Sequence, residues 1–287
     1  MDVYGILGFP IHHSRSPAMH NSAFEHLGID ARYVPFEVLP DRLGDAVRGL
    51  QALGVKGFNV TLPHKTAIMP LLDEVDAVAR GIGAVNTVLR DGERLLGTNT
   101  DAEGLCRALL EAGVTLPGAR VTVLGAGGAA RASVVGLARA GVQSVTIAAR
   151  SLERAEALVA ELVGFLAPVT LQAASFEPSS LATAFAQTDL LVQATSATLE
   201  SSPDAERFAK SLPLAGLPRS AWVTDLVYRP LETAVLREAS ALGHRTVDGL
   251  GMLLHQGALA FEHWTGRPAP IASMRAALLE PPSDPSD

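Results

Sequence analysis

Two side chains in this sequence, Lys65 and Asp101, are of the types that exchange protons at neutral pH. Lys65 follows Pro63-His64 at what reads as the start of a helix. There it is either a plain exposed charge, disfavoured by the helix macrodipole, or an ammonium near Asp101 that trades a proton with a substrate hydroxyl. Around this pair, short apolar runs repeatedly end in small polar groups: Gly57-Phe58-Asn59-Val60-Thr61-Leu62-Pro63-His64-Lys65, Gly83-Ala84-Val85-Asn86-Thr87 and Gly97-Thr98-Asn99-Thr100-Asp101. Ligands of open α/β sheets lie beyond the carboxyl ends of the strands, so these groups are placed to converge on one hydroxyl-rich molecule. Ser14 and Ser16, in Ser14-Arg15-Ser16-Pro17, add hydroxyls that can donate to a carboxylate. Plainer roles exist for each. Ser16 before Pro17 reads as a helix N-cap supported by Ser14, and Asn86, Thr87, Thr98 and Asn99 read as turn residues. Occurring together, and beside a nucleotide-binding turn, they read as a binding set.

That turn is the strongest local signal. The apolar run Val121-Thr122-Val123-Leu124 enters Gly125-Ala126-Gly127-Gly128-Ala129-Ala130-Arg131 and then a helical pattern. Glycines where the backbone must turn tightly, followed by a helix N-terminus with free N–H groups, suit the pyrophosphate of a dinucleotide. Ala130 at the third glycine position is tolerated, because that site needs only close helix–strand packing. The next strand ends in Ala149-Arg150-Ser151, with Arg154 one turn on and no acid to accept from a ribose 2′-hydroxyl. Two guanidinium groups and a hydroxyl suit a 2′-phosphate, favouring NADP over NAD. The plainer reading makes Arg150 and Arg154 solvated residues at a helix start.

The elements that must position these groups alternate. Runs at 3–8, 33–38, 57–60, 121–124, 144–149, 190–194, 221–226 and 245–247 read as strands. Helical patterns at 18–27, 42–53, 129–140, 152–162 and 233–242 lie between them, four closed by Gly28, Gly54, Gly141 and Gly243. Such alternation predicts an α/β fold: an N-terminal α/β domain with a mainly parallel sheet and a Rossmann-type dinucleotide-binding domain. The expected division is 1–101 with 250–280 as a substrate-binding catalytic domain, 102–249 as the NADP-binding domain, and 281–287 as a disordered tail. The tail is expected from Glu280 onward, where three prolines, two serines and three acids leave nothing to pack.

Composition narrows the function. The 287 residues are 48% hydrophobic and 18% charged, ample material for globular cores. A net charge of −7 offers no basic field for phosphate backbones, so nucleic acid is not an expected partner. One cysteine, Cys106, excludes an internal disulfide and a thiolate cage, which suits a reducing compartment; cytoplasm is the expected location. No membrane span and no metal-ligand spacing of the H-E-x-x-H type occur in the sequence, so no membrane partner and no metal are expected. Neither a G-x-S-x-G elbow nor a G-x-x-x-x-G-K-[ST] loop is present. A monomer and a homodimer both remain open.

Seven segments, in order, resemble the shikimate dehydrogenase family: 14–21, 59–65, 83–87, 97–101, 125–129, Asp225-Leu226-Val227-Tyr228-Arg229-Pro230, and Asp248-Gly249-Leu250-Gly251-Met252-Leu253-Leu254-His255-Gln256. The resemblance implies reduction of 3-dehydroshikimate with NADPH, in aromatic amino-acid and chorismate biosynthesis. It implies that Ser14 and Ser16 hold a carboxylate, that Thr61, Asn86, Asp101 and Gln256 hold ring hydroxyls with Tyr228 beside them, and that Lys65 and Asp101 are the catalytic pair. It further implies that Thr195, Leu226, Gly249 and Met252 join the glycine turn in holding the cofactor, and that the C-terminal helices belong with the N-terminal domain. Three departures stand out. Ala149 replaces an asparagine that helps hold the adenosine end, which predicts weakened NADP affinity. Gln193-Ala194-Thr195-Ser196-Ala197-Thr198-Leu199 lacks a glycine usual in that loop, so its geometry is open. Arg15 replaces a leucine, its side chain lying either near the carboxylate or in solvent. Two alternatives accompany this reading: an NAD-linked quinate/shikimate dehydrogenase, which Arg150 and Ser16 count against, and a non-catalytic NADP-dependent sensor, which Lys65 and Asp101 count against.

Overall fold

A computed structural model describes residues 1–280. The chain divides into two compact units, Met1–Thr100 with the residues from Leu254 onward, and Asp101–Leu253. The expected tail at 281–287 lies outside the described residues, but Glu280 is tied in, its carbonyl accepting from the Arg15 guanidinium.

The first unit opens with β1 (Asp2–Gly8), α1 (Ser16–His26), β2 (Ala31–Glu37), α2 (Leu43–Ala52), β3 (Gly57–Val60), β4 (Glu74–Val75), α3 (Ala77–Ile82), β5 (Thr87–Asp91) and β6 (Arg94–Thr98). Its sheet runs β2-β1-β3-β5-β6-β4. β1 is parallel to β2 and β3, and β4 to β6, whereas β5 is antiparallel to both β3 and β6. The strands send Leu7, Phe58, Val60 and Val88 into one apolar core with Val85, just before β5, and Val47 and Leu50 of α2.

The second unit continues with α4 (Asp101–Glu111), β7 (Arg120–Leu124), α5 (Gly128–Arg139), β8 (Ser144–Ala149), α6 (Leu152–Leu162), β9 (Thr170–Ser175), α7 (Pro178–Phe185), β10 (Leu190–Gln193), α8 (Ala205–Ser211), β11 (Trp222–Asp225), α9 (Ala234–Ala241) and β12 (Arg245–Val247). Its strands, ordered β12-β11-β10-β7-β8-β9, are all parallel. The chain moves outward one way from β7 through β8 and β9, then the other way from β10, so β7 and β10 flank the topological switch point. Two helices finish the chain: α10 (Leu250–Thr265), which begins in the second unit and ends in the first, and α11 (Ile271–Leu279). Within the first unit, Phe261 and Trp264 of α10 pack on Phe24 and Tyr4, with ring centroids 5.3 Å apart in each pair.

Four differences from the sequence reading have physical causes. Thr87 opens β5 and Asn86 lies just before it, instead of the two ending a strand, because 87–98 is a hairpin whose tip is Gly92 with φ +60°. Lys65 lies in a run of turns and not at a helix start, so the macrodipole argument does not apply to it. Ser16 is the first residue of α1 and Arg15 its N-cap, with no side-chain cap bond. Finally β4, β9, α3, α7 and α8 are too short or too polar for periodicity to reveal. The four glycine stops each follow their helices in left-handed backbone.

Candidate active site

In the second unit the groups at the switch point are mainly backbone. Gly125 leaves β7 with φ +116°, and a Cβ placed there would stand 3.1 Å from Thr195 Cγ2 and 3.2 Å from the Ala194 carbonyl oxygen. Gly127 is the N-cap of α5 and donates no side-chain cap, while a Cβ on Gly127 or Gly128 would meet nothing within 4 Å. The start of a twelve-residue helix is thus left open at these two positions and without a side-chain cap, an arrangement suited to an anion. A cleft of about 1040 Å³ lies here, lined by Gly125, Ala126, Gly127, Arg150, Ser151, Arg154 and Thr195 of the expected cofactor set. Ser151 also caps α6, its Oγ accepting from the Arg154 amide at 3.3 Å, which leaves the hydroxyl proton to donate. Gly128, Ala129, Leu226, Gly249 and Met252 are not among the lining residues. Gly249 packs closely on the chain after β11: a Cβ there would lie 2.6 Å from the Leu226 carbonyl oxygen. The cleft also takes in Phe176, just after β9, and Arg207 and Phe208 of α8, which the sequence reading missed because neither segment carries a motif.

Thr195 is positioned by Gln193. The Gln193 amide donates to the Thr195 carbonyl at 3.0 Å and to Thr198 Oγ1 at 2.9 Å, and its oxygen accepts from the Thr195 amide at 2.7 Å. The same amide reaches Asp225 at 3.3 Å, a buried carboxylate that also accepts from Thr233 Oγ1 at 2.7 Å. Burial pushes the Asp225 carboxyl up, and these hydrogen bonds oppose that.

The first unit is built from buried side chains. Register places Asn59 of β3 beside Thr87 of β5, and Thr87 beside Thr98 of β6. Because β5 runs antiparallel, its first residue sits at the sheet edge where β3 and β6 end, so polar groups from three strands meet there. Tyr33 Oη donates to Asn59 Oδ1 at 2.7 Å and hydrogen-bonds Ser16. Asn59 Nδ2 donates to the Asn86 carbonyl at 3.1 Å and to Thr87 Oγ1 at 3.0 Å. Asn86 Oδ1 accepts from Thr87 Oγ1 at 2.9 Å and from the Thr100 amide at 2.8 Å, while its Nδ2 donates to Thr100 Oγ1 at 3.0 Å. Asn86 Nδ2 also lies 3.5 Å from Gln256 Oε1 on α10. This continuous network brings Ser16, Asn86 and Gln256 of the expected substrate set together, and adds Tyr33 and Asn59, which spacing alone does not single out.

Thr61 and Lys65 join that edge through backbone. The Thr61 amide donates to the Leu7 carbonyl at 2.9 Å, and the Lys65 carbonyl accepts from Val85 N–H at 2.8 Å, one residue before Asn86. His64 between them is buried, its Nε2 2.7 Å from the Val38 carbonyl oxygen. Ser14 Oγ accepts from the Ser16 amide at 3.3 Å, bracing the turn into α1. Asp101 opens α4 and is buried, and Tyr228 follows β11 half-buried; both belong to the second unit. Among the described residues no group of histidine, cysteine and carboxylate side chains could hold a metal, and no helix is long and apolar enough to cross a membrane.

Comparison with known proteins identifies the family. Residues 6–88 match the model of the shikimate dehydrogenase substrate binding domain, 108–209 that of shikimate/quinate 5-dehydrogenase, and 249–279 that of the shikimate 5′-dehydrogenase C-terminal domain. The NADP(+) shikimate dehydrogenase of Symbiobacterium thermophilum is 48% identical over 280 residues, covering 96% of this chain and 93% of that one. The chain belongs to the shikimate dehydrogenase family. The shikimate 5-dehydrogenase of Listeria monocytogenes, solved with shikimate and NAD, superposes with a TM-score of 0.90 at 36% identity over 97% of this chain and 96% of that one. The Thermus thermophilus enzyme, solved with NADP(H) and shikimate, gives 0.84 at 40% identity over 97% and 98%.

For a shikimate dehydrogenase the departures now have locations. Ala149 is buried at the end of β8 and lines the cleft without a polar side chain. The loop after β10 takes a 3₁₀ turn at Ser196–Thr198, held by Gln193. The Arg15 side chain reaches α11: Nη2 donates to the Ala277 carbonyl at 2.9 Å and to that of Glu280, closing the C-terminal end of that helix.

Proposed function

We propose that this chain is an NADP-dependent shikimate dehydrogenase, reversibly reducing 3-dehydroshikimate to shikimate in aromatic amino-acid biosynthesis. The observation that carries the reading is similarity over nearly the whole length to enzymes of that activity. The buried network at the first sheet's edge and the glycine cradle of the second unit support it. NADPH, when bound, supplies the hydride. Gly125–Ala129 hold its pyrophosphate, Arg150, Ser151 and Arg154 the 2′-phosphate, and Thr195, Leu226, Gly249 and Met252 complete its surroundings. Ser14 and Ser16 donate to the substrate carboxylate; Thr61, Asn86, Asp101, Tyr228 and Gln256 bind and orient the ring hydroxyls. Lys65 Nζ gives a proton to the oxygen on which charge develops in reduction and takes it back in oxidation, with Asp101 orienting the lysine and supporting its charge. The protein works on small molecules as a monomer or homodimer, with no nucleic-acid partner, and a cytoplasmic location agrees with its single buried cysteine.

The test is absorbance at the reduced-nicotinamide band with shikimate or quinate and NADP or NAD, beside Lys65→Ala. The expected result is turnover mainly with shikimate and NADP, falling by about 10²–10⁴-fold in the variant. Turnover mainly with quinate and NAD, or NADP binding without turnover on any pair, overturns it.

A further inference from the structure

The cleft at the end of β7 and β8 has a wall that the glycine turn and the Arg150–Arg154 segment do not provide. Ala149, at the corner where β8 ends, offers a bound nucleotide no polar side-chain atom. Far along the chain but on the same cleft stands α8, which contributes Arg207 and Phe208, with Asp204 at its N-cap. The helix is firmly seated: Ala209 is buried in the core of the second unit, and the ring of Phe208 packs on that of Phe176 with centroids 6.2 Å apart. Arg207 is 81% exposed, and its Nη2 lies 3.1 Å from Asp204 Oδ1. A carboxylate lining a cleft that must receive a phosphate is a liability, and the adjacent guanidinium offsets it while keeping further N–H groups free to bond.

We infer that Arg207 is a specificity-determining residue, a third guanidinium on the 2′-phosphate of NADP that makes up for the missing amide at position 149. A phosphate monoester carries close to two negative charges and three acceptor oxygens, more than Arg150 and Arg154 alone neutralise once each is partly solvated. Arg207 adds a donor fork from a separate element, so it acts on NADP and not on NAD, which has a neutral hydroxyl at that position. The inference rests on the reading of this cleft as the NADP site.

The experiment measures equilibrium binding of NADP, NAD and adenosine 2′,5′-bisphosphate by calorimetry, without substrate, for the wild type, Arg207→Ala, and Arg207→Ala/Asp204→Asn. Arg207→Ala is expected to weaken NADP and the bisphosphate by about tenfold, leaving NAD within about twofold, and the double variant is expected to stay weak. Unchanged NADP affinity in Arg207→Ala, or equal losses for NADP and NAD, overturns the inference. Recovery in the double variant also overturns it, since Arg207 would then only mask Asp204. A wild type that binds NADP no better than NAD and ignores the bisphosphate overturns the NADP reading itself, and the role of Arg207 with it.

Discussion

The two sheets make their sites in opposite ways. The second unit uses six parallel strands and presents backbone at the switch point: a glycine with φ +116°, an uncapped helix N-terminus, and charged side chains only at the rim. The first unit inserts one antiparallel strand, β5, and presents amides and hydroxyls locked to one another below the surface. Pyrophosphate recognition needs space and N–H groups, which any sequence with glycines in the right places supplies. Discrimination among ring hydroxyls needs donors and acceptors of fixed direction, and only a satisfied buried network fixes them. Substitutions should therefore act on one site at a time.

The largest expected effect on cofactor binding is at Gly125. Gly125→Val forces a β-branched residue to φ +116° against Thr195, and NADP affinity should fall on the order of a hundredfold, as calorimetry would read, with thermal stability of the first unit unchanged. Equal loss in both units would break the comparison.

Asn59→Ala should do the converse. It removes the acceptor of Tyr33 and the donor to Asn86 and Thr87, leaving buried groups unsatisfied, at a cost of about 2–3 kcal/mol in urea unfolding. The shikimate KM should rise severalfold while the Kd for NADP stays within about twofold.

His20 sharpens the contrast through pH. It is fully buried, its ring nitrogens have no hydrogen-bond partner, and it stacks on Tyr33 at 4.4 Å; burial pushes its pKa down to about 3. The folded state then binds fewer protons than the unfolded state. Stability from this residue is complete above the unfolded value of 6.5 and is lost as pH falls toward 3, by up to about 1.4 kcal/mol per pH unit. Urea midpoints measured from pH 7 to 4 should decline, and more shallowly in His20→Phe; parallel slopes would contradict the assignment.

The smallest effect is chemical. Cys106 on α4 is buried, and burial with the nearby Glu103 pushes its thiol to about 12, so labelling by a thiol reagent at pH 8 should be slow until denaturant is added. Fast native labelling would mean that α4 opens readily.

The same contrast explains what could be read from the sequence. Gly125 to Ala129, Arg150 and Arg154 are contiguous, and strand, turn and helix follow one another locally, so the second unit's cradle is legible in the chain. The first unit's Asn86 and Thr100 are also visible as polar residues, but the edge they share depends on β5 running backwards. The local signal for that is Asp91-Gly92 between two apolar runs, a hairpin cue that the sequence reading did not use. Tyr33 and Asn59 look like ordinary strand residues, because their role comes from register with β5 and contact with Ser16, neither of which is local. Arg207 is invisible for a third reason: a lone arginine in a short polar helix has no spacing to betray it.

The most direct test of this separation of labour is NADP binding to Lys65→Ala, measured beside its turnover. Turnover reduced by about 10²-fold or more with the Kd for NADP within about twofold of wild type is the predicted result. A comparable fall in NADP affinity would contradict the account, because a side chain of the first unit would then be holding the cofactor.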